Sequence, residues 1–275
     1  MVDWLSVLTA CSENMKKRVR PLFGSVEAKR GFGRGAGGDV KKQIDIVAEN
    51  ALFQTLEEHD VSCTVVSEET GVRQIGSPPF EFYVTTDPVD GTTNAVRGLP
   101  FLDISLAVSR KPMLDDVETA LVTDVLRDIT YTAEKGKGAY RNEKRVKPSE
   151  TAALEEAVVG VDFSNFKSQS VVNRLIGVLE KTRHLRHLGA NALEICYVAD
   201  GTTDAFIDIR GKLRVTDIAA ADLILLEAGG IITTPKGDKL NVPLTATQRV
   251  SFVAAANKPI YDTIQKLMKN TEDNP

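Results

Sequence analysis

The chain has 275 residues, 42% of them hydrophobic, with 34 basic against 38 acidic side chains and a net charge of -4. That is apolar material for one large core or two fused halves, and the charge leaves no basic footprint for nucleic acid. No uncharged apolar run is long enough to span a membrane and the N-terminus lacks a signal peptide's basic-then-apolar layout, so a cytoplasmic protein is expected. Cys11, Cys63 and Cys196 are widely spaced, with no CxxC and no neighbouring His. They argue against a disulfide framework or a zinc site and read as small buried hydrophobes.

Apolar residues at helical spacing predict a first helix over residues 4–23, closed by Pro21 and Gly24. Five glycines in the eight residues 31–38 follow, ending at Asp39. Such a run resists regular structure because glycine loses most entropy on ordering. It reads equally as a disordered surface loop or as a mobile flap bringing the Asp39 carboxylate to a metal. A second helix face runs from Ile44 to Leu56, with Asp45 off that face near its start.

Strands are predicted over 61–66 and 80–86, the first delivering Glu68 and Glu69, the second Asp87. Further strands at 102–109, 119–125 and 129–133, with a turn-rich segment at 136–146, should form one broad sheet backed by the first two helices. Polar turn residues 148–151 mark a boundary, giving an α+β half over 1–148 and an α/β half over 149–275 in one catalytic unit. Beyond it strands (157–163, 185–188, 205–209, 231–234, 250–255) alternate with helices (171–179, 192–199, the run after Asp217, 260–268), as in a layered α/β half.

The stretch that organises the chain is Asp87-Pro88-Val89-Asp90-Gly91-Thr92-Thr93-Asn94. Pro88 keeps Asp87 extended and suits a helix start, so the chain leaves a strand at Asp87 and winds near Asp90. Gly91 admits close backbone approach, and the amides of Gly91 and Thr92 at a helix start suit an anion. Carboxylates beside an anion site repel phosphate unless a divalent cation sits between them. Alone, such a stretch is better explained by turn chemistry, which Asp, Pro and Gly dominate for reasons unrelated to catalysis. Glu68-Glu69 after one strand and Asp217 before another helix turn it into a candidate metal basin.

With Glu68, Asp87, Asp90 and Asp217 in view, the chain resembles the inositol monophosphatase superfamily. The resemblance rests on Ser67-Glu68-Glu69-Thr70, on Asp87 to Asn94, and on Thr216-Asp217-Ile218-Ala219-Ala220 running to Glu227-Ala228-Gly229-Gly230. The glycine run ending in Asp39, Gly136 to Tyr140, Cys196 to Gly201 and Asp208-Ile209-Arg210 make it most similar to the archaeal-type fructose-1,6-bisphosphatase/inositol monophosphatase branch. This implies a layered αβαβα sandwich of α+β or α/β class, a homodimer, and a place in gluconeogenesis.

The implied reaction is hydrolysis of fructose 1,6-bisphosphate and inositol 1-phosphate using two or three Mg²⁺ ions, with Mn²⁺ as a substitute. Adenosine 3′,5′-bisphosphate or NADP would be alternative substrates, and a regulatory homologue without turnover is the reading from another class. Carried over by motif, Glu68, Asp87, the Val89 carbonyl, Asp90 and Asp217 would hold metal, with Asp39 joining a third site. Glu68, Thr92 and Asp45 would act on the attacking water. Asp90, Gly91, Thr92, Gly189, Ala190, Asn191, Asp208 and Asp217 would meet substrate. Arg183, Arg186, Arg210, Lys212 and Arg214 are candidates for a second phosphate, Arg210 first because it follows Asp208. Thr216 stands where the inositol-specific branch carries an aromatic residue. His59, His184 and His187 read as structural.

Overall fold

The computed structural model describes residues 2–164 and 169–270. Helix α1 (Trp4–Val19) buries Trp4, Val7, Leu8, Cys11, Met15 and Val19 along one stripe. Asp3 accepts from the Ser6 amide at 3.2 Å at its start, and Lys16, Lys17 and Arg18 complement the dipole at its end. The glycine run, expected as irregular loop or mobile flap, is instead an antiparallel hairpin of β1 (Gly31–Arg34) and β2 (Val40–Lys42). Its tip is tied down by backbone bonds from Ala36 N to the Glu69 carbonyl (3.0 Å) and Gly37 N to the Glu68 carbonyl (2.8 Å). These bonds offset the entropic cost of ordering glycine.

Helix α2 (Gln43–Glu58) packs beside α1. Next come β3 (Cys63–Ser67), β4 (Gly71–Ile75), β5 (Tyr83–Asp90), the short α3 (Thr92–Arg97), β6 (Asp103–Ser109), β7 (Val117–Asp124), β8 (Ile129–Glu134), β9 (Gly138–Arg141) and β10 (Lys144–Arg145). They form one eight-stranded sheet in the order β10-β9-β8-β7-β6-β5-β3-β4. Strand β4 carries no sequence signal, since Val72, Arg73 and Gln74 face solvent on an edge strand. Strand β5 runs past the expected end at residue 86. Its pairing with β6 slips between Asp87 and Asp90, a bulge at which Pro88 owes the ladder no N–H.

The second half supplies β11 (Val158–Val161), α4 (Gln169–Lys181), β12 (His184–Arg186), α5 (Asn191–Ala199), β13 (Ala205–Arg214), α6 (Ala219–Ala228), β14 (Ile231–Thr233), β15 (Arg249–Ala255) and α7 (Lys258–Asn270). Its five-stranded sheet has the order β12-β11-β13-β15-β14.

The layers run α1/α2, large sheet, α5/α6, small sheet, α4/α7, the expected αβαβα sandwich. Helices α5 and α6 read as nearly all apolar because they are buried between two sheets, and their residues join side chains of both sheets in one core. The three cysteines lie in these cores, unpaired and fully buried.

One buried group works against this packing. Asp222 of α6 is 6% exposed and its Oδ1 has no partner. Burial pushes its carboxyl up to about 7, Asp115 adding to the rise and Lys239 opposing it. A carboxyl raised in the folded state costs nothing at low pH; the fold loses stability as pH climbs from 3.8, where the unfolded carboxyl ionises, to about 7, above which the penalty is constant. Asp222→Asn is therefore expected to raise the melting temperature at pH 8, by on the order of 2 kcal/mol of stability, and to leave it nearly unchanged at pH 4. Equal shifts at both pH values in calorimetry would show that the gain is not electrostatic.

Candidate active site

A cleft of ≈ 650 Å³ opens between the two sheets where β5, α3, the hairpin tip and the turn after β13 converge. The local chemistry of each segment aims its carboxylates inward. At the β5 bulge the Val89 amide donates to Asp87 Oδ1 at 3.1 Å, which turns the chain so that Asp87, the Val89 carbonyl and Asp90 follow one another around a corner. Gly91 caps α3 at φ 86°, and a Cβ there would stand 2.9 Å from the Phe101 carbonyl, so only glycine fits. Asp217 ends a 3₁₀ turn before α6, its Oδ2 accepting from the Arg214 amide at 3.1 Å. Asp45 does the same at the start of α2, with Oδ2 on the Lys42 amide at 2.9 Å.

Oxygens of Glu68, Asp87 and Asp217 lie within 4.8 Å of one another. Asp87 and Asp217 are each 5% exposed. Burial raises all three carboxyls above the usual carboxylate range; mutual repulsion adds at Glu68 and Asp87, while Arg214 pulls Asp217 back. Three hard oxygens so placed, with protons as the alternative way of neutralising them, fit a divalent cation. Asp90 stands beside the trio. Burial and then Asp103 push its carboxyl upward, while its Oδ2 accepts from the Ala192 amide at 2.7 Å. The fully buried Asp103 accepts likewise from Leu193 at 3.2 Å, so two carboxylates meet the first turn of α5. Asp103 had no motif to mark it, and only the fold brings it to Asp90.

Thr92 Oγ1 donates to Asp45 Oδ1 at 3.0 Å and lies 3.0 Å from the Val89 carbonyl. Burial pushes the Asp45 carboxyl up to about 6, against the bonds from Lys42 and Thr92. Asn94 ties the α3 corner to the second half through Nδ2 bonds to the carbonyls of Phe101 (2.8 Å) and Leu188 (2.7 Å). Gly91, Gly189 and Asn191 line the cleft, whereas Ala190 is buried behind it.

The residues expected to meet a second phosphate divide. Arg210 reaches the cleft with its charge committed. Nε and Nη2 donate to Asp208 at 2.9 and 2.6 Å, Nη2 to Asp162 at 2.5 Å and Nη1 to the Ser164 carbonyl at 2.5 Å. Asp208, fully buried, is the anchor for that guanidinium and does not line the cleft. Arg186 is exposed on β12, outside the cleft lining, with Nη1 on the Leu185 carbonyl at 2.8 Å, and Arg183 is exposed near it. Lys212 lines the cleft and is exposed. Arg214 is drawn into the carboxylate basin, pairing with Glu68 at 2.7 Å and with Asp39. Asp39 itself is 78% exposed at the cleft rim.

His187, read as structural, lines the cleft with Ser164, whose Oγ is 3.0 Å from His187 Nε2. Asp162 and Ser164 follow the end of β11, the same strand-end placement that marked Asp87, and that position was the one signal available for them.

Residues 4–272 match the Inositol monophosphatase family. The chain belongs to that family. Its similarity to the fructose-1,6-bisphosphatase/inositol-1-monophosphatase of Methanothermobacter thermautotrophicus is 36% identity, covering 97% of this chain and 96% of that one. To the bifunctional NADP phosphatase/NAD kinase of Methanococcus maripaludis it is 32%, covering 92% of this chain and 47% of the longer protein. A solved inositol monophosphatase-fructose 1,6-bisphosphatase superposes with a TM-score of 0.85 at 31% identity, over 97% of this chain and 100% of that chain. Among the described residues of this family member no helix is long and apolar enough to cross a membrane.

Proposed function

We propose that this member of the inositol monophosphatase family is a Mg²⁺-dependent phosphoric monoester hydrolase acting on fructose 1,6-bisphosphate and inositol 1-phosphate. The observation that carries the reading is the convergence of Glu68, Asp87 and Asp217 oxygens within 4.8 Å, beside a Thr92–Asp45 hydrogen bond. Glu68, Asp87, the Val89 carbonyl, Asp90 and Asp217 would hold two ions, with Asp39 available for a third; Mn²⁺ would substitute, being an oxygen-seeking cation of similar kind. When bound, the ions neutralise charge on the phosphoryl oxygens and acidify a water.

The protein's own groups do the rest. Thr92 Oγ1, by donating to Asp45, turns its lone pairs toward a water proton and fixes that water's direction. As the water oxygen bonds to phosphorus the ester P–O bond breaks. The water's proton passes to Thr92 Oγ1, the Thr92 proton moves to Asp45, and the leaving alkoxide takes a proton from solvent. Phosphoryl transfer of this kind relies mainly on charge neutralisation and positioning, and the reading calls on no histidine for the hydrolysis. Gly91 and Thr92 would face the reacting phosphate, and Gly189, Asn191 and Asp90 the hydroxyls of the substrate. Lys212 and His187 are better candidates than Arg210 for a second phosphate, because four oxygens from Asp208, Asp162 and Ser164 already hold the Arg210 guanidinium.

A second reading, an adenosine 3′,5′-bisphosphate or NADP phosphatase, is favoured by the similarity to the NADP phosphatase/NAD kinase and by a cleft of ≈ 650 Å³, roomy for a monosaccharide. The first reading would make the protein a cytoplasmic homodimer, and hydrolysis of fructose 1,6-bisphosphate would place it in gluconeogenesis. Light scattering on the purified protein tests the dimer.

Initial rates of phosphate release over the four substrates, with and without EDTA, test the rest. The expected result is fastest release from fructose 1,6-bisphosphate and inositol 1-phosphate, lost by ~1,000-fold or more on chelation and restored by Mg²⁺. Activity that survives EDTA would sink the metal-dependent mechanism, and a preference for NADP would select the second reading.

A further inference from the structure

Arg214 closes β13 three residues before Asp217, and its guanidinium lies where three separate pieces of chain meet. Nη1 is 2.7 Å from Glu68 Oε1 and 4.0 Å from Asp217 Oδ2, and Nη2 donates to Asp39. Nε and Nη2 each donate to the Gly37 carbonyl at 3.3 Å, where Arg249 Nη2 also donates at 2.7 Å. The hairpin backbone is pressed onto this side chain so closely that a Cβ on Gly37 would stand 2.2 Å from Arg214 Nε. At 8% exposure the charge is little screened by water.

Glu68 therefore belongs at once to the carboxylate trio and to the arginine. A divalent ion in the trio and a guanidinium draw on the same oxygens and repel each other across a few ångströms of poorly screening protein. Arg210, on the same strand, has no such conflict, since its carboxylate partners Asp162 and Asp208 lie outside the trio.

We infer that Arg214 is a positioning residue that latches the β1–β2 hairpin tip over the cleft and competes with the divalent ion for Glu68. The inference rests on the metal-dependent reading above. Ion entry moves the guanidinium off Glu68, and the hairpin and the metal basin thereby sense each other through one side chain. A residue that merely supported the basin would, when removed, weaken ion binding. A competitor, when removed, strengthens it.

Calorimetric titration of Mn²⁺ into wild type, Arg214→Met and Arg214→Lys tests this, together with limited trypsin digestion at Arg34 in the hairpin. Arg214→Met is expected to bind Mn²⁺ ~10-fold tighter or more and to be cut faster at Arg34. Arg214→Lys keeps the charge but cannot bridge Glu68 and Asp39 with one ammonium. It should be cut faster while its affinity stays within about threefold of wild type. A wild-type protein carrying ¹⁵N-labelled arginine keeps the test independent of whether the variants fold. Its Arg214 Nε resonance, assigned by its loss in Arg214→Lys or otherwise by through-bond connection to the Arg214 backbone, should move in step with Mg²⁺ binding. Unchanged or weaker Mn²⁺ affinity in Arg214→Met, or a stationary Nε resonance at Mg²⁺ saturation, overturns the inference while leaving the metal reading intact. Failure of wild type to bind either ion overturns both.

Discussion

Asp90→Asn is expected to abolish phosphate release, with a loss in kcat of ~1,000-fold or more, while leaving the fold intact. The asparagine can keep the bond from the Ala192 amide through its carbonyl oxygen, so the corner between β5 and α5 survives. What disappears is a negative charge in a basin where Asp103, Asp217 and Glu68 already repel it. The melting temperature without divalent ions should accordingly stay level or rise, because a buried charge held among like charges costs stability when unneutralised. A phosphate-release assay read beside a melting curve separates the two effects. Turnover at the wild-type level in a folded Asp90→Asn protein would remove Asp90 from the machinery.

Thr92→Val is the second large effect. Valine matches the shape of threonine and removes only the hydroxyl, leaving Asp45 Oδ1 and the Val89 carbonyl without their contact. The expected loss is ~100- to 10,000-fold in kcat, the range of a positioned proton acceptor, with little change in KM. Thr92→Ser, which restores the hydroxyl, should recover most of the rate. A matching rise in KM would mean instead that Thr92 serves ground-state binding, and failure of serine to rescue would show that the methyl group matters as much as the oxygen.

The elements that carried their own signal were those whose structure is a local event. The amphipathic stripe of α1, the apolar core strands β5 to β7 and the cap-like placement of Asp45 and Asp217 all depend on residues a few positions apart. The hairpin did not, because the glycines at 35 and 37 are there for what the distant Glu69 and Arg214 leave no room for. Strand β4 is polar, lies at an edge and is held by its pairing with β3.

Arg210 shows the same limit in charge. Its neighbour Asp208 is visible two residues away, but Asp162 and the Ser164 carbonyl, which complete its neutralisation, come from another strand end. His187 reads as an unremarkable basic-segment residue until β11 and the turn after β12 are placed side by side.

By itself, then, the order of residues determined which carboxylates this protein offers and the corner each one occupies, since turns, caps and strand ends are set by nearby side chains. Tertiary structure alone decided which opposite charges those carboxylates meet. Glu68 with Arg214, Asp90 with the start of α5 and Arg210 with Asp162 are partnerships across long stretches of chain, and an ion pair depends on distance in space, which sequence separation does not encode.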